Sequence, residues 1–370
     1  MLTVVRCSRL SHRPNILWSY STELKTRTYR KYIEFAFLCL LAAALLWWFG
    51  RNLDWREVRH ALSTADPLLL TIAVVIICLA YVGRAFRWGA LLKPLGAARF
   101  PDLFAATTIG FSAVFLIGRA GEVVRPVVLP MRDPRVRPTA AIVTILIERI
   151  YDFMAVALMF AINLIWFEPP NLALEASFSR VRAVGFALLA STVIGIVFLI
   201  WYRKNSAKLL EALNRLFSRW HFIPQRLAQL VIRILEQLSS ALRVLVNAAE
   251  LAETAGWTVL VWLGIATANL LVLRAFHLDV SMSETIFVLG WSLLGSLVPT
   301  PGGAAGAFHA ATAAGLLFLG VKKETAAALS IVLHIVDFGP AVLFGLFYFI
   351  RGDFSISRLR TLISPANAEG

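Results

Sequence analysis

Gly118-Arg119-Ala120-Gly121-Glu122-Val123-Val124-Arg125-Pro126 interrupts an apolar run, and the helix predicted after it, from about Thr139 to Phe167, carries Glu148, Arg149 and Asp152 in an otherwise apolar stretch. Placing one charged side chain at the centre of a membrane span costs about 2.5–3.5 kcal/mol on insertion scales. Charges of both signs beside a glycine-rich turn therefore predict a fold in which other helices shield and pair them.

Composition sets the class. Of the 370 residues, 59% are hydrophobic and 16% are charged, and the mean hydropathy is +0.73. A soluble domain carries about 25% charged residues. The apolar residues come in blocks of roughly 15 to 25, long enough to cross a hydrocarbon core of about 30 Å. An all-α, polytopic membrane protein follows, with six to eight spans, because barrels read as short alternating segments. The net charge of +14 lies mostly between the apolar blocks, which fits cytoplasmic loops and anionic headgroups better than nucleic acid. Cys7, Cys39 and Cys78 have no metal or redox spacing, so no metal or other cofactor is expected.

In chain order, residues 1–32 are a basic tail, with Lys25, Arg27, Arg30 and Lys31 placing it in the cytoplasm. A transmembrane domain follows over 33–350, and 351–370 is a second cytoplasmic tail. Spans are expected over 33–50 and 67–83. Arg84, Arg87, Lys93 and Arg99 then read as a cytoplasmic loop, with Arg84, Arg87 and Trp88 as interfacial anchors. The segment 103–118 is short, is flanked by basic residues on both sides and holds Gly110 in its middle, so a re-entrant hairpin is expected there. After a return span at 183–202, residues 203–253 are a cytoplasmic segment rich in Lys and Arg that, from 227 onward, repeats apolar residues at intervals of three and four, an amphipathic helix for the membrane surface or for a partner. A second broken region, 285–320, is interrupted by Pro299-Thr300-Pro301-Gly302-Gly303. Whether either broken region spans fully is open in the sequence.

The two broken regions look related. TAAIVTILIERIYDF starts at Thr139 and TAAALSIVLHIVDF at Thr325, pairing Glu148 with His334 and, after one deletion, Asp152 with Asp337. The alternating topology makes the two units an inverted repeat, an architecture that puts substrate sites near the bilayer midplane. Chance similarity between apolar helices is the alternative. Glu148 and His334 each lie about nine residues into their helix, roughly 14 Å deep.

Candidate substrate-binding residues are Arg119, Gly121, Glu122, Arg125, Glu148, Arg149, Asp152, Gly302 and Gly303. Arginine forks match phosphate oxygens in pairs, and the glycines permit close backbone approach to a headgroup. Arg119 or Arg125 is expected to pair with Glu148 or Asp152. A purely structural ion pair is the competing reading. His309, His334 and Asp337 are the candidate proton-coupling groups; hydrogen bonding to a neighbouring helix is their plainer role.

GRAFRWGALLKPLG at 83–96, GRAGEVVRP at 118–126, ERIYD at 148–152 and PTPGG at 299–303 together resemble the lysylphosphatidylglycerol synthase transmembrane, or flippase-like, family over about residues 33–350. The resemblance implies a multi-span inner-membrane protein and lipid translocation. The sequence departs from the pattern in two ways. No aminoacyl-transfer segment accompanies the membrane part, so lysine transfer from tRNA is not expected. Many relatives carry Glu after the PGG turn where this chain has His309, which leaves the lipid open.

The expected function is translocation of an anionic phospholipid or polyprenyl-phosphate-linked lipid between leaflets of the cytoplasmic membrane, with both termini inside and a lipid-synthesis enzyme as partner. The alternatives are an intramembrane lipid-modifying enzyme and a non-transporting scaffold.

Overall fold

The computed structural model describes residues 53–167, 175–219 and 248–351, with Ile232 and several positions between 40 and 51. The tails, most of the span expected at 33–50, and 220–247 apart from Ile232 lie outside the described residues. Every regular element among those described is helical, and the protein is an all-α multi-pass membrane protein. Among the described residues, four helices are long and apolar enough to cross a membrane. Large apolar side chains also face outward, among them Phe153 at 75% exposure and Leu343 at 71%. An apolar surface of this kind suits hydrocarbon and not water.

Helix α1, Trp55–Thr64, starts where the Asp54 side chain accepts from Arg56 N. Helix α2, Pro67–Leu92, is capped by Asp66, which accepts from Leu68 N and Leu69 N. The span expected to end at Gly83 therefore continues for more than two turns. The arginines do not terminate it, because Arg87 and Trp88 are fully buried; Pro94, which cannot extend a helix, does. Neither Arg87 nor Trp88 is an interfacial anchor.

Helix α3, Phe100–Ile117, is about 27 Å long at 1.5 Å per residue. The chain reverses at Gly118, with φ at +69°. It returns through a 3₁₀ segment, Gly118–Val123, and helix α4, Val124–Arg132, together about 26 Å. Asp102 near the start of α3 accepts from Arg132 at the end of α4, at 3.1 Å. The two limbs thus begin and end at one level, and this segment is a helical hairpin. Gly110 is not the turn. A Cβ there would overlap the Arg125 side chain, so the glycine makes a passage for it across α3.

Helix α5, Pro138–Trp166, carries the charges, and α6, Glu175–Arg219, packs on it. Residues 203–219 continue α6 without a break; no proline occurs there before Pro224. Its 45 residues make about 68 Å, so the polar end outruns the hydrocarbon. Helix α7 is Ala248–Ala275 and α8 is Met282–Gly295, opened by a Ser281–Glu284 capping box. A turn at Pro301–Ala304 leads to α9, Ala307–Phe318. Phe287 of α8 and Phe318 of α9 meet at 5.2 Å between ring centres, closing a second hairpin. Helix α10 is Lys323–Arg351.

The packing has an internal symmetry. Helix α2 packs on α7, α3 on α10 and α8 on α5, while α4 lies on α5 and α9 on α10. Exchanging α2–α5 with α7–α10 leaves this set of contacts unchanged. The equivalent helices α2 and α7 run antiparallel: Gly83 faces Val261, Ile76 and Ala80 face Gly264, and Asp66 N donates to Ala275 O. Antiparallel equivalents mean that the two units are inverted. The hairpin tips meet, with Gly118 against the carbonyls of Pro299 and Thr300.

Close backbone approach holds the units together. A Cβ on Gly345 of α10 would overlap Ser112 Oγ and reach the Thr108 carbonyl of α3 at 2.5 Å, whereas one on Gly264 would sit at 3.7 Å or more from its neighbours. Gly345→Ala should therefore lower stability by about 1–3 kcal/mol through overpacking, and Gly264→Ala should be neutral or better. Thermal unfolding in detergent checks the pair.

At the first hairpin mouth, hydrogen bonds from Arg135 hold the Asp133 carboxyl well below the usual carboxylate range. A depressed folded value means that this contribution is complete above the unfolded value of about 3.9 and is lost as pH falls below it. The melting-temperature gap between wild type and Asp133→Asn should stay constant above about pH 5 and close in acid.

Candidate functional site

Glu148, fully buried one third of the way along α5, receives three guanidinium groups. Arg125 of α4 binds it in a fork, Nη1 to Oε1 at 2.6 Å and Nη2 to Oε2 at 3.1 Å. Arg87 of α2 reaches Oε1 at 3.1 Å and Arg149 reaches it at 2.9 Å. Arg87 also forks onto Asp152, one turn along α5, at 2.6 and 3.2 Å. Trp262 Nε1 of α7 donates to Asp152 Oδ1 at 3.1 Å, and Thr258 Oγ1 lies 3.4 Å from Arg87. Arg125 stacks over Trp88 at 4.5 Å, and Trp88 Nε1 donates to Thr144. The network ties α2, α4 and α5 of one unit to α7 of the other.

Arg87, Arg125 and Glu148 are sealed, while the Arg149 side chain is 36% exposed. Arg125 and Glu148 are engaged with each other and do not open toward a headgroup in this conformation. Gly121 serves the turn, since a Cβ there would overlap the Ala113–Val114 backbone. Glu122 is half-buried in the 3₁₀ segment. The Arg119 side chain lies outside the described residues.

The second unit repeats the plan with neutral groups. His334 of α10 stands where Glu148 stands in α5, and its partner is His309 in the first turn of α9, as Arg125 is in the first turn of α4. His334 Nδ1 and His309 Nε2 are 3.1 Å apart; His334 Nε2 faces Gly303 O at 3.1 Å, and Gly306 N donates to His309 Nδ1. The carbonyl makes His334 Nε2 a donor, so its Nδ1 accepts from His309 Nε2–H. Each imidazole is thereby fixed in one neutral tautomer. Gly302 and Gly303 have φ of +75° and +63°, and Ala304 N is engaged with Thr300 O. The Gly303 carbonyl is turned onto the histidine.

Asp337 corresponds to Asp152. Asn269 of α7 donates to its Oδ1 at 3.1 Å, as Arg87 of α2 does for Asp152, and Tyr81 Oη donates to its main-chain carbonyl at 2.9 Å. His334 and Asp337 are neighbours on α10 but use different partners: His334 pins the turn, whereas Asp337 lines a cavity between the units.

Arg87, Trp262, Asn269 and Tyr81 were absent from the sequence-derived set. The signal for Arg87 was the apolar run Gly89-Ala90-Leu91-Leu92 after it, which extends the helix to Pro94 and carries the arginine inside. Nothing in the sequence points to Trp262 or Tyr81, whose polar atoms matter only through partners on distant helices.

Fold and site together define a helical membrane protein built from two inverted units around a buried polar centre. The chain belongs to the family described as lysylphosphatidylglycerol synthase TM region, matched over residues 35–345. Comparison with curated proteins finds no match.

Removing one member of a buried ion pair strands its partner, a loss of about 3–5 kcal/mol. Arg87→Ala should reduce folded yield and thermal stability by this order. Adding Asp152→Asn, which neutralises the stranded carboxylate, should recover part of it.

Proposed function

We propose that the protein moves a phosphate-bearing lipid, an anionic phospholipid or a polyprenyl-phosphate-linked lipid, between the leaflets of the cytoplasmic membrane. The observation that carries this reading is the meeting of two inverted helical hairpins beside a cavity lined from both units. Broken helices facing each other across a two-fold relation suit alternate opening toward either side, because one rocking motion serves both directions. Membership of a membrane family related to lipid synthesis supports the substrate class.

In this reading the charge network is a fastener and not the headgroup seat. Arg87 is shared between Glu148 and Asp152, so the helices can shift while every carboxylate keeps a cation. The basic hairpin mouth around Arg99, Arg132 and Arg135 faces the cytoplasm by the positive-inside rule.

The test is reconstitution of the full chain into liposomes carrying a fluorescent phospholipid, with an impermeant quencher outside. Wild type should expose the inner-leaflet label without altering the lipid. Glu148→Gln, which weakens the fastener, should slow exposure at least about tenfold, equivalent to about 1.4 kcal/mol of barrier, while still inserting into membranes. No exposure by wild type, or a chemically changed lipid, would overturn the reading.

A further inference from the structure

The cavity between the units holds two ionisable side chains that the networks leave open. Arg84, three residues before Arg87 on α2, is half-buried and lines it, together with Tyr81, Trp262, Ser292, Ser296 and Asp337. The guanidinium lies 4.8 Å from the Phe111 ring and 5.9 Å from Tyr81. Among the described residues it has no ion pair or hydrogen bond, whereas Arg87, Arg125 and Arg149 are all paired with carboxylates. Those three each leave a buried Nε without a partner, but no nitrogen of Arg84 is shut away in that manner. Arg84 therefore lines the cavity with donors that no protein group among the described residues takes up.

Asp337 is the complement. The symmetry that gives Asp152 an arginine gives Asp337 a neutral amide, Asn269. No cation stands within 4.0 Å of it among the described residues. An arginine and an aspartate, neither with an opposite charge within 4.0 Å among the described residues, thus share one chamber walled by Phe111, Phe308, Phe338 and Trp262. Aromatic walls leave a guanidinium poorly hydrated, which favours an incoming anion with paired oxygens.

We propose that this chamber is the headgroup seat, with the phosphate of a phospholipid on Arg84 and a hydroxyl or ammonium donor of the same headgroup on Asp337. The proposal rests on the translocation reading and assigns its binding residues. The cavity measures about 120 Å³, roughly ten times the ~10–15 Å³ that one water needs. A headgroup fits that space and two acyl chains do not, so the chains stay in the surrounding hydrocarbon. The binding arginine is then Arg84, and not Arg125 of the glycine-rich turn.

The experiment measures binding of dihexanoyl phosphatidylglycerol to the full-length protein in detergent by calorimetry, with dihexanoylglycerol and inorganic phosphate as separate probes. Arg84→Gln should weaken phospholipid binding at least tenfold, Arg84→Lys should keep part of it, and Asp337→Asn should weaken it less. The melting temperature of Arg84→Gln should fall only slightly, since the ring contacts with Phe111 and Tyr81 are lost but no ion pair is. Leu293→Trp, which fills the chamber from α8, should block binding independently. Wild-type affinity in Arg84→Gln, or equal affinity for the phosphate-free glyceride, would overturn the seat. Inorganic phosphate binding as tightly as the phospholipid would overturn the lipid assignment and leave an anion site. In liposomes the two proposals separate: Arg84-dependent binding without lipid movement sinks translocation alone, and movement at the wild-type rate in Arg84→Gln sinks the seat alone.

Discussion

Glu148 cannot be buried alone. Its carboxylate has no access to water, and three guanidiniums from α2, α4 and α5 converge on it. This requirement fixes much of the surrounding backbone. Gly110 is bare so that Arg125 can cross α3, and Gly121 is bare so that the 3₁₀ segment can lie against the same helix. Trp88 lies under the Arg125 guanidinium and is itself anchored by Thr144. The hairpin geometry and the ion network thus support each other.

The inverted second unit shows what that plan becomes when the ions are replaced. His309 and His334 occupy the places of Arg125 and Glu148 and join turn to helix through a directed chain of neutral hydrogen bonds. Asn269 replaces Arg87 beside the aspartate. The first unit is clamped by charge, which is strong but tolerant of angle; the second is held by oriented neutral bonds. A two-fold scaffold with unequal fasteners has a built-in asymmetry between its two faces. That substitution leaves Asp337 with an amide where Asp152 has a guanidinium.

Much of this was legible from residue type. Hydropathy gave the class, the basic clusters on both sides of 103–118 gave a chain reversal there, and the recurrence of TAA…DF gave the paired long helices. The reading of the arginines was less complete. A charge after an apolar run is read as the end of a span, yet Arg84 and Arg87 lie within a helix that continues to Leu92. A linear pattern cannot distinguish a charge at the surface from one whose partner comes from another helix. The glycines misled in the same way: they were read as space for a headgroup, and that space is taken by the protein's own side chains and backbone.

The sequence by itself determined that the chain is helical, that it lies in a membrane, and that Glu148, Arg149 and Asp152 must face inward, because the cost of an ion in hydrocarbon depends only on residue type and span. Tertiary structure alone decided which cations satisfy them and which are left over. Pairing depends on distances between helices that are far apart in the chain, such as Arg87 to Asp152 or Asn269 to Asp337. Only when those partners are in place does Arg84 stand out as the cavity-lining cation with no carboxylate within 4.0 Å among the described residues.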